Sequence, residues 1–433
     1  MSEATSGAAW VRHILAFEAA LARAEGRAGV IPQSSGSAIS AVCQTLEIDP
    51  AAIAEAARLT GTPVVPILTI LRAALSEQDA GVVHWGATSQ DALDTAAMLV
   101  SRHAVGLLLI DLHGLAAAAA RLATDHRHSV MAGRTVLQHA VPITFGLKAA
   151  GWLTATIDAH AGLLRWKNER LALQFGGAAG SLAALGSAGT QVGAYLAEEL
   201  DLAAPAMPWH TARGRVAELA AAMAVAAGVA GKIALDVILM AQTEVGEVAE
   251  PPEVGKGASS AMPQKRNPVG AVATLSAARQ AQSFVPLFVA SMLQEHERAA
   301  GAWQAEWEPL SQLFQTSAAA ARGARLSLEG LVVNTNRMRD NVNATGGLIM
   351  SESVGMLLST HVGRKLADTV LADAVAVAAN GSKSFRDALL ADVRLQGRMT
   401  AGPIEAALAP ENYLGSADTF IDRAVASYEA MPR

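Results

Sequence analysis

The chain has 433 residues, with 33 Lys and Arg against 39 Asp and Glu, and a formal charge of −6. Hydrophobic residues make up 52% and charged ones 17%, a balance too apolar and too weakly charged for a disordered chain. Mild acidity without a basic run argues against a nucleic-acid or anionic-membrane partner. The single cysteine, Cys43, cannot form an internal disulfide and points to a reducing compartment. The N-terminus shows no basic region followed by an apolar core, and the Ala-rich run Leu219 to Gly231 is too short to span a bilayer. A cytoplasmic protein of two or three domains is expected, with no membrane partner.

Alanine is abundant, aromatic residues are only 4%, and no long alternating strand pattern occurs, so the fold class is all-α. The first helix is expected over Ala9 to Gly29, with Ile14, Phe17, Ala20, Leu21 and Ala24 on one face and Ile31-Pro32 as its stop. Short segments follow, punctuated by Pro50, Gly61, Pro63 and Pro66. A loop at Gly81 to Gln90 precedes a long helix over about Asp91 to Arg127, with Asp91 as cap or first-turn acid. A second long helix is expected over about His139 to Leu173, ended by the Gly-rich stretch Phe175 to Gly180. A third runs over about Thr211 to Val248. Glu250 to Pro268, rich in Gly, Pro and Ser, cannot be regular helix. Helix resumes over Val269 to Ser291 and Trp307 to Gly330, and Asn334 to Gly347 reads as a polar loop. The organisation expected is an N-terminal helical domain (1–90), a central long-helix bundle carrying the irregular segment (91–334) and a C-terminal helical domain (335–433). Ala- and Leu-rich helices of this length bury more than one chain covers, which favours an oligomer.

Four segments carry chemistry. Gly257 to Pro268 places two hydroxyls (Ser259, Ser260), two cations (Lys265, Arg266) and the Asn267 amide on irregular backbone, whose free N–H groups can surround an anion. Its plainer reading is a linker. His84 to Asp91 offers Thr88 and Ser89 hydroxyls just before a helix start, a natural carboxylate site or an ordinary cap. Arg134 to His139 sets Gln138 and His139 ahead of an apolar helix, where a lone histidine is usually structural. Gln294 to Arg298 reads by itself as a solvated helix face. The histidines of Asp125-His126-Arg127-His128 are two apart and face different ways, so no metal site is expected there. Gly176 to Gly180 lacks the ending of a phosphate-binding loop.

Taken together, these segments resemble the fumarase/aspartase superfamily of lyases. Its signature loop, Gly-Ser-x-x-Met-Pro-x-Lys-x-Asn, is matched by Ser259-Ser260-Ala261-Met262-Pro263-Gln264-Lys265-Arg266-Asn267. The resemblance extends from about Phe17 to the C-terminus and is greatest to the cycloisomerase branch. It is carried there by Phe17 to Ala24, Leu173 to Ala178, Pro208 to Arg213, Gln294 to Arg298 and Trp303 to Glu308. The resemblance implies three all-α domains around a five-helix bundle, four chains forming a homotetrameric twenty-helix core, and active sites assembled from three subunits. It implies a small polycarboxylate substrate, no metal and no other cofactor. The implied reaction is an internal lactonisation in aromatic catabolism: a substrate carboxylate adds across a conjugated C=C bond, and the carbon that gains electrons is held as an aci-carboxylate.

By the same resemblance, Ser259 moves the proton at carbon, His139 is the second proton-handling group, and Lys265 and Asn267 steady the loop and the aci-carboxylate. Thr88, Ser89, Gln138, Ser260, Met262 and His84 match substrate-binding positions, and Arg298 and Arg213 match anion contacts. The glycine usual before the loop serine is Ala258, the acid usual between two arginines is Gly214, and the carboxylate that orients the catalytic histidine in adenylosuccinate lyase falls on Val272. Two other readings stand beside this one: a superfamily lyase releasing fumarate from a succinyl-substituted substrate, and a non-catalytic helical scaffold.

Overall fold

The computed structural model describes residues 1–432 apart from Pro252, Val254 and Pro263, so one proline of the signature loop lies outside the described residues. The N-terminal helices are α1 (Gly7–Arg27), α2 (Gln33–Thr45), α3 (Pro50–Thr60), α4 (Val64–Ala73) and the single turn α5 (Glu77–Ala80). Their ends follow local chemistry. The Ser6 side chain accepts from Ala9 N to start α1, while Asp49 and Pro50 open α3 and Gly61 closes it in the left-handed region at φ 71°.

Five long helices follow: α6 (Ser89–Asp125), α7 (Phe145–Arg170), α9 (Gly214–Met240), α10 (Val269–Ala290) and α12 (Trp307–Glu329), with the shorter α8 (Gly189–Leu200) and α11 (Ala302–Ala305) between them. Small residues bring these helices close. A Cβ on Gly323 of α12 would collide with the Thr274 hydroxyl of α10. Trp152 of α7 donates its indole N–H to Asp236 of α9 at 2.7 Å. By length and composition alone α6 and α9 could cross a membrane, but half or more of each apolar window is buried within the chain, as in a bundle core.

The structure corrects three expectations, one being the third long helix, which ends at Met240 and not near Val248. The second long helix begins at Phe145, because Val130–Thr135 (β1) and Gln138–Thr144 (β2) form an antiparallel hairpin. Ala140 and Val141 bulge opposite Gly133, which breaks the two-residue alternation and hides the strands from a periodicity reading. Asn334 to Gly347 is not a loop: the Asn334 side chain caps α13 (Thr335–Asn343) by accepting from Arg337 N at 3.0 Å. A second two-stranded pair joins β3 (Val248–Ala249) to β4 (Val332–Val333).

The C-terminal helices are α14 (Ser351–Val362), α15 (Arg364–Ala379), α16 (Phe385–Leu390), α17 (Ala401–Leu408) and α18 (Ala417–Glu429). Val354, Leu358, Ala367, Val370, Phe385, Leu389 and Ile404 form a core of their own there. The chain divides into two compact units. One contains Met1–Asp111, Ala159–Gly228 and Ser276–Ala321; the other contains Leu112–Asp158, Val229–Leu275 and Arg322–Arg433. Each draws on three separate stretches of sequence.

Candidate active site

In the first unit, the α6 N-terminus is the centre of a polar cluster. Buried Asp91 accepts from Thr88 N (3.1 Å), Gly176 N (3.0 Å) and Gly177 N (2.9 Å), and its Oδ1 lies 2.7 Å from His210 Nε2. One first-turn acid thus caps its own helix and pins the Gly-rich turn to it. Arg298 completes the join, donating to Gln90 Oε1 (2.9 Å) and to the carbonyls of Ala178 (2.8 Å) and Gly177 (3.2 Å). All three acceptors are neutral, and among the described residues no carboxylate pairs with Arg298. Its charge therefore adds to the positive end of α6, beside the half-buried Thr88 and Ser89, whose hydroxyls have no described side-chain partner. A helix N-terminus, two hydroxyls and an uncompensated guanidinium make a receptor for a carboxylate.

His84 stands just upstream with φ 63°, a conformation rare outside glycine. Its Nδ1 lies 2.7 Å from Oε1 of buried Glu18. Burial works to lower the imidazole pKa, but Glu18 outweighs it and the net direction is upward, toward a charged ring.

Arg213 does not fit the role expected of it. It is 3% exposed, and its guanidinium is taken up by Asp94 (2.7 and 3.0 Å) and Glu306 (2.5 to 3.2 Å). Trp303 Nε1 donates to the same Asp94 at 3.0 Å. Two buried carboxylates thus take up four of the five guanidinium N–H groups and balance its charge. Those carboxylates replace the acid missing at Gly214, and Arg215 instead donates to Arg170 O at 2.6 Å.

In the second unit, the signature loop closes on itself at its base. Asn267 donates to Gly257 O from its backbone (2.9 Å) and from its side chain (3.2 Å), and Ala258 bridges to Arg266. The left-handed position falls on Gly257 (φ 69°) and not on Ala258, so alanine at 258 meets no backbone strain of that kind. Ser259 Oγ accepts from Met262 N at 3.2 Å and Ala261 N at 3.3 Å. Two N–H groups aimed at that oxygen favour negative charge on it. Ser260, Met262 and Lys265 are exposed on the same loop. A cavity of about 870 Å³ lies against the loop's base, lined by Glu250, Lys256, Arg266, Asn267 and Val332 among others.

Gln138 and His139 are exposed at the start of β2, beside the hairpin turn rather than on a helix. Burial and the Arg134 guanidinium hold the His139 imidazole below its ordinary pKa, with Glu247 opposing them. Val272 is exposed, and no described hydrogen bond or ion pair joins His139 to Ser259, Lys265 or Asn267. The expected residues thus fall into two groups: His84, Thr88, Ser89 and Arg298 in one unit, and Gln138, His139, Ser259, Ser260, Met262, Lys265 and Asn267 in the other.

Sequence reasoning missed Glu18, Asp94, Glu247 and Glu306, all buried. Only Asp94, three residues beyond Asp91 on the same helix, carried a readable signal, since an acid at that spacing in an apolar run needs a partner.

Two family models match: one described as Lyase over residues 2–283, and one described as Adenylosuccinate lyase C-terminus over residues 347–424. The chain is 44% identical to a 3-carboxy-cis,cis-muconate cycloisomerase of Bradyrhizobium diazoefficiens, over 97% of this chain and 94% of that one. It is 43% identical to a nitrosuccinate lyase of Streptomyces davaonensis, over 98% and 91%. Among solved structures it is similar to the 3-carboxy-cis,cis-muconate lactonizing enzyme from Pseudomonas putida, at TM-score 0.93 and 39% identity over 100% of this chain and 97% of that one.

Proposed function

Because the chain belongs to the lyase family of the fumarase/aspartase superfamily, we propose that it is a cycloisomerase converting 3-carboxy-cis,cis-muconate to a carboxymuconolactone. The observation that carries this reading is the closed signature loop with two backbone N–H groups on Ser259 Oγ, in a chain similar throughout its length to several cycloisomerases.

One carboxylate of the substrate attacks the conjugated C=C bond and a C–O bond forms. The π electrons move onto the neighbouring carbon and into its carboxylate as an aci-carboxylate. A proton then reaches that carbon, and the enediolate electrons return to form the C–H bond. The nucleophile is already an anion, so the demand falls on stabilising the doubly charged intermediate. Arg298, Thr88, Ser89 and the α6 N-terminus hold substrate carboxylates, with His84 beside them, held by Glu18. Lys265 and Asn267 face the aci-carboxylate, Gln138, Ser260 and Met262 line the site, and Ser259 and His139 move protons. The stretches around Thr88, around His139 and around Ser259 serve one site when neighbouring chains in a homotetramer bring them together, each site drawing on three subunits. The domain division at 90 and 334 and a cytoplasmic location belong to the same reading.

Loss of the ultraviolet absorbance of the conjugated diene, with the purified protein and 3-carboxy-cis,cis-muconate, tests the proposal. No loss at micromolar enzyme would sink it. A second reading is favoured by the nitrosuccinate lyase relative, which is almost as similar. Elimination from nitrosuccinate breaks C–H and C–N bonds and forms a C=C bond, and it passes through the same kind of carbanion. Nitrite release without diene loss would select it.

A further inference from the structure

The hairpin that carries His139 turns through Val136 (φ 51°) and Leu137 (φ 64°), both left-handed and neither a glycine. Two positive φ values make the mirror-image turn that matches strand twist, a turn normally built from Asn, Asp or Gly. A β-branched residue there is strained, and such strain persists only where the surroundings enforce it. Both side chains are exposed, at 94% and 75%, so nothing at the tip itself enforces the turn.

The enforcement comes two residues further in. Arg134 lies directly across the strand pair from His139, and Thr135 pairs with Gln138 beside the turn. The second pair from a two-residue turn is the close, non-hydrogen-bonded kind, with Cα atoms about 4.5 Å apart and side chains on one face. The Arg134 guanidinium is held in a fork by Glu247, at 2.7 and 2.9 Å. Glu247 is fully buried and also accepts from Asn341 Nδ2 at 2.8 Å.

We infer that Arg134, gripped by Glu247 and through it by Asn341, is a positioning residue for His139, fixing both where the imidazole stands and whether it carries a proton. A cation opposite the ring on the same face disfavours the imidazolium, and Glu247 tempers that effect from behind. The charged groups bearing on His139 are Arg134 from β1 and Glu247 from the segment before β3. Lys148 on α7 bears in turn on that pair. The inference supplies what Val272 does not, an orienting group for His139, and it rests on the reading that His139 handles a proton.

Diethylpyrocarbonate acylates only the unprotonated ring, so modification of the His139 peptide, followed by mass spectrometry as pH is varied, reads this one histidine in the assembled protein. Glu247→Gln leaves the cation unopposed, and the midpoint is expected to fall by about half a unit or more. The double variant Arg134→Gln/Glu247→Gln removes both charges without orphaning either, and the midpoint is expected to rise above that of the native protein. Arg134→Lys keeps the charge but loses the fork. Its midpoint is expected to stay near the native value while kcat falls about tenfold and KM stays within about twofold. A midpoint unmoved by both Gln variants, with native circular dichroism, overturns the charge half of the inference; undiminished kcat in Arg134→Lys overturns the positional half. The acylation readout needs no turnover, so a chain inactive on the muconate would refute the proposed reaction and leave the charge half of the inference testable, while the kcat comparison is then made on whichever substrate the chain turns over.

Discussion

A serine hydroxyl is a weak acid and its alkoxide a strong base, so Ser259 can serve at carbon only where its oxygen is stabilised. The N–H groups of Ala261 and Met262 already point at it. Removing the hydroxyl takes away a group needed in the transition state more than in the ground state. Ser259→Ala is therefore expected to lower kcat by about a hundredfold or more, with KM within a few-fold of native in steady-state kinetics. Glu25 presents a different residue-scale problem. Its carboxylate is fully buried with no hydrogen-bond partner for either oxygen among the described residues, and burial together with nearby Glu18 pushes its pKa from 4.5 to about 9. The folded state therefore keeps a proton that the unfolded chain gives up. The stability linked to that proton is present below pH 4.5 and drains away as pH rises toward 9. Glu25→Gln is expected to melt close to the native protein at pH 5 and several degrees above it at pH 8, measured by scanning calorimetry.

Among the elements, the Asp94–Arg213–Glu306 clamp ties the start of α6 to the turns before α9 and α12. The two roles considered for Arg213 predict opposite measurements. A substrate contact changed to methionine would raise KM and leave stability alone. A buried clamp so changed leaves two carboxylates without their cation, so Arg213→Met is expected to cost roughly 3–5 kcal/mol in urea unfolding. The hairpin and α13 show where element-scale legibility ended. Arg134 to His139 looked like the approach to a helix because a seven-residue strand with a bulge shows no stable period. Asn334 looked like loop because its capping role depends on where the helix begins. Of the long helices, α6, α10 and α12 were legible to within two residues, since their apolar faces repeat over many turns, whereas α7 starts six residues later and α9 ends eight residues earlier than expected.

At the scale of the whole molecule, large apolar side chains stand exposed on the long helices: Ile110 on α6, Val225 and Leu235 on α9, Val272 and Val289 on α10, and Leu326 on α12. The proposed homotetramer, assembled through such faces, is expected to run in light scattering at four times the 44.6 kDa chain mass. A site drawn from three subunits makes a sharper prediction. Ser259→Ala and His139→Asn are each expected to be inactive alone. Dissociated together and reassembled, they are expected to regain a measurable fraction of native activity, because some sites then receive neither altered residue. Failure to regain any, with mixed tetramers verified by mass spectrometry, would place Ser259 and His139 in one subunit's contribution.

The amino-acid sequence alone determined the helical class, the five long helices and the irregular loop with its Ser259, Lys265 and Asn267, because helix periodicity and backbone-breaking residues act over short distances. It also carried the family, through motifs whose chemistry leaves few substitutes. The tertiary structure decided which charges are spent and which remain free. Arg213 and Arg298 both sit in polar motifs, but one closes on two buried carboxylates while the other, among the described residues, meets neutral carbonyls and an amide. That difference depends on acids that are distant in the chain from Arg213 and brought to it only by folding, and no local pattern encodes it.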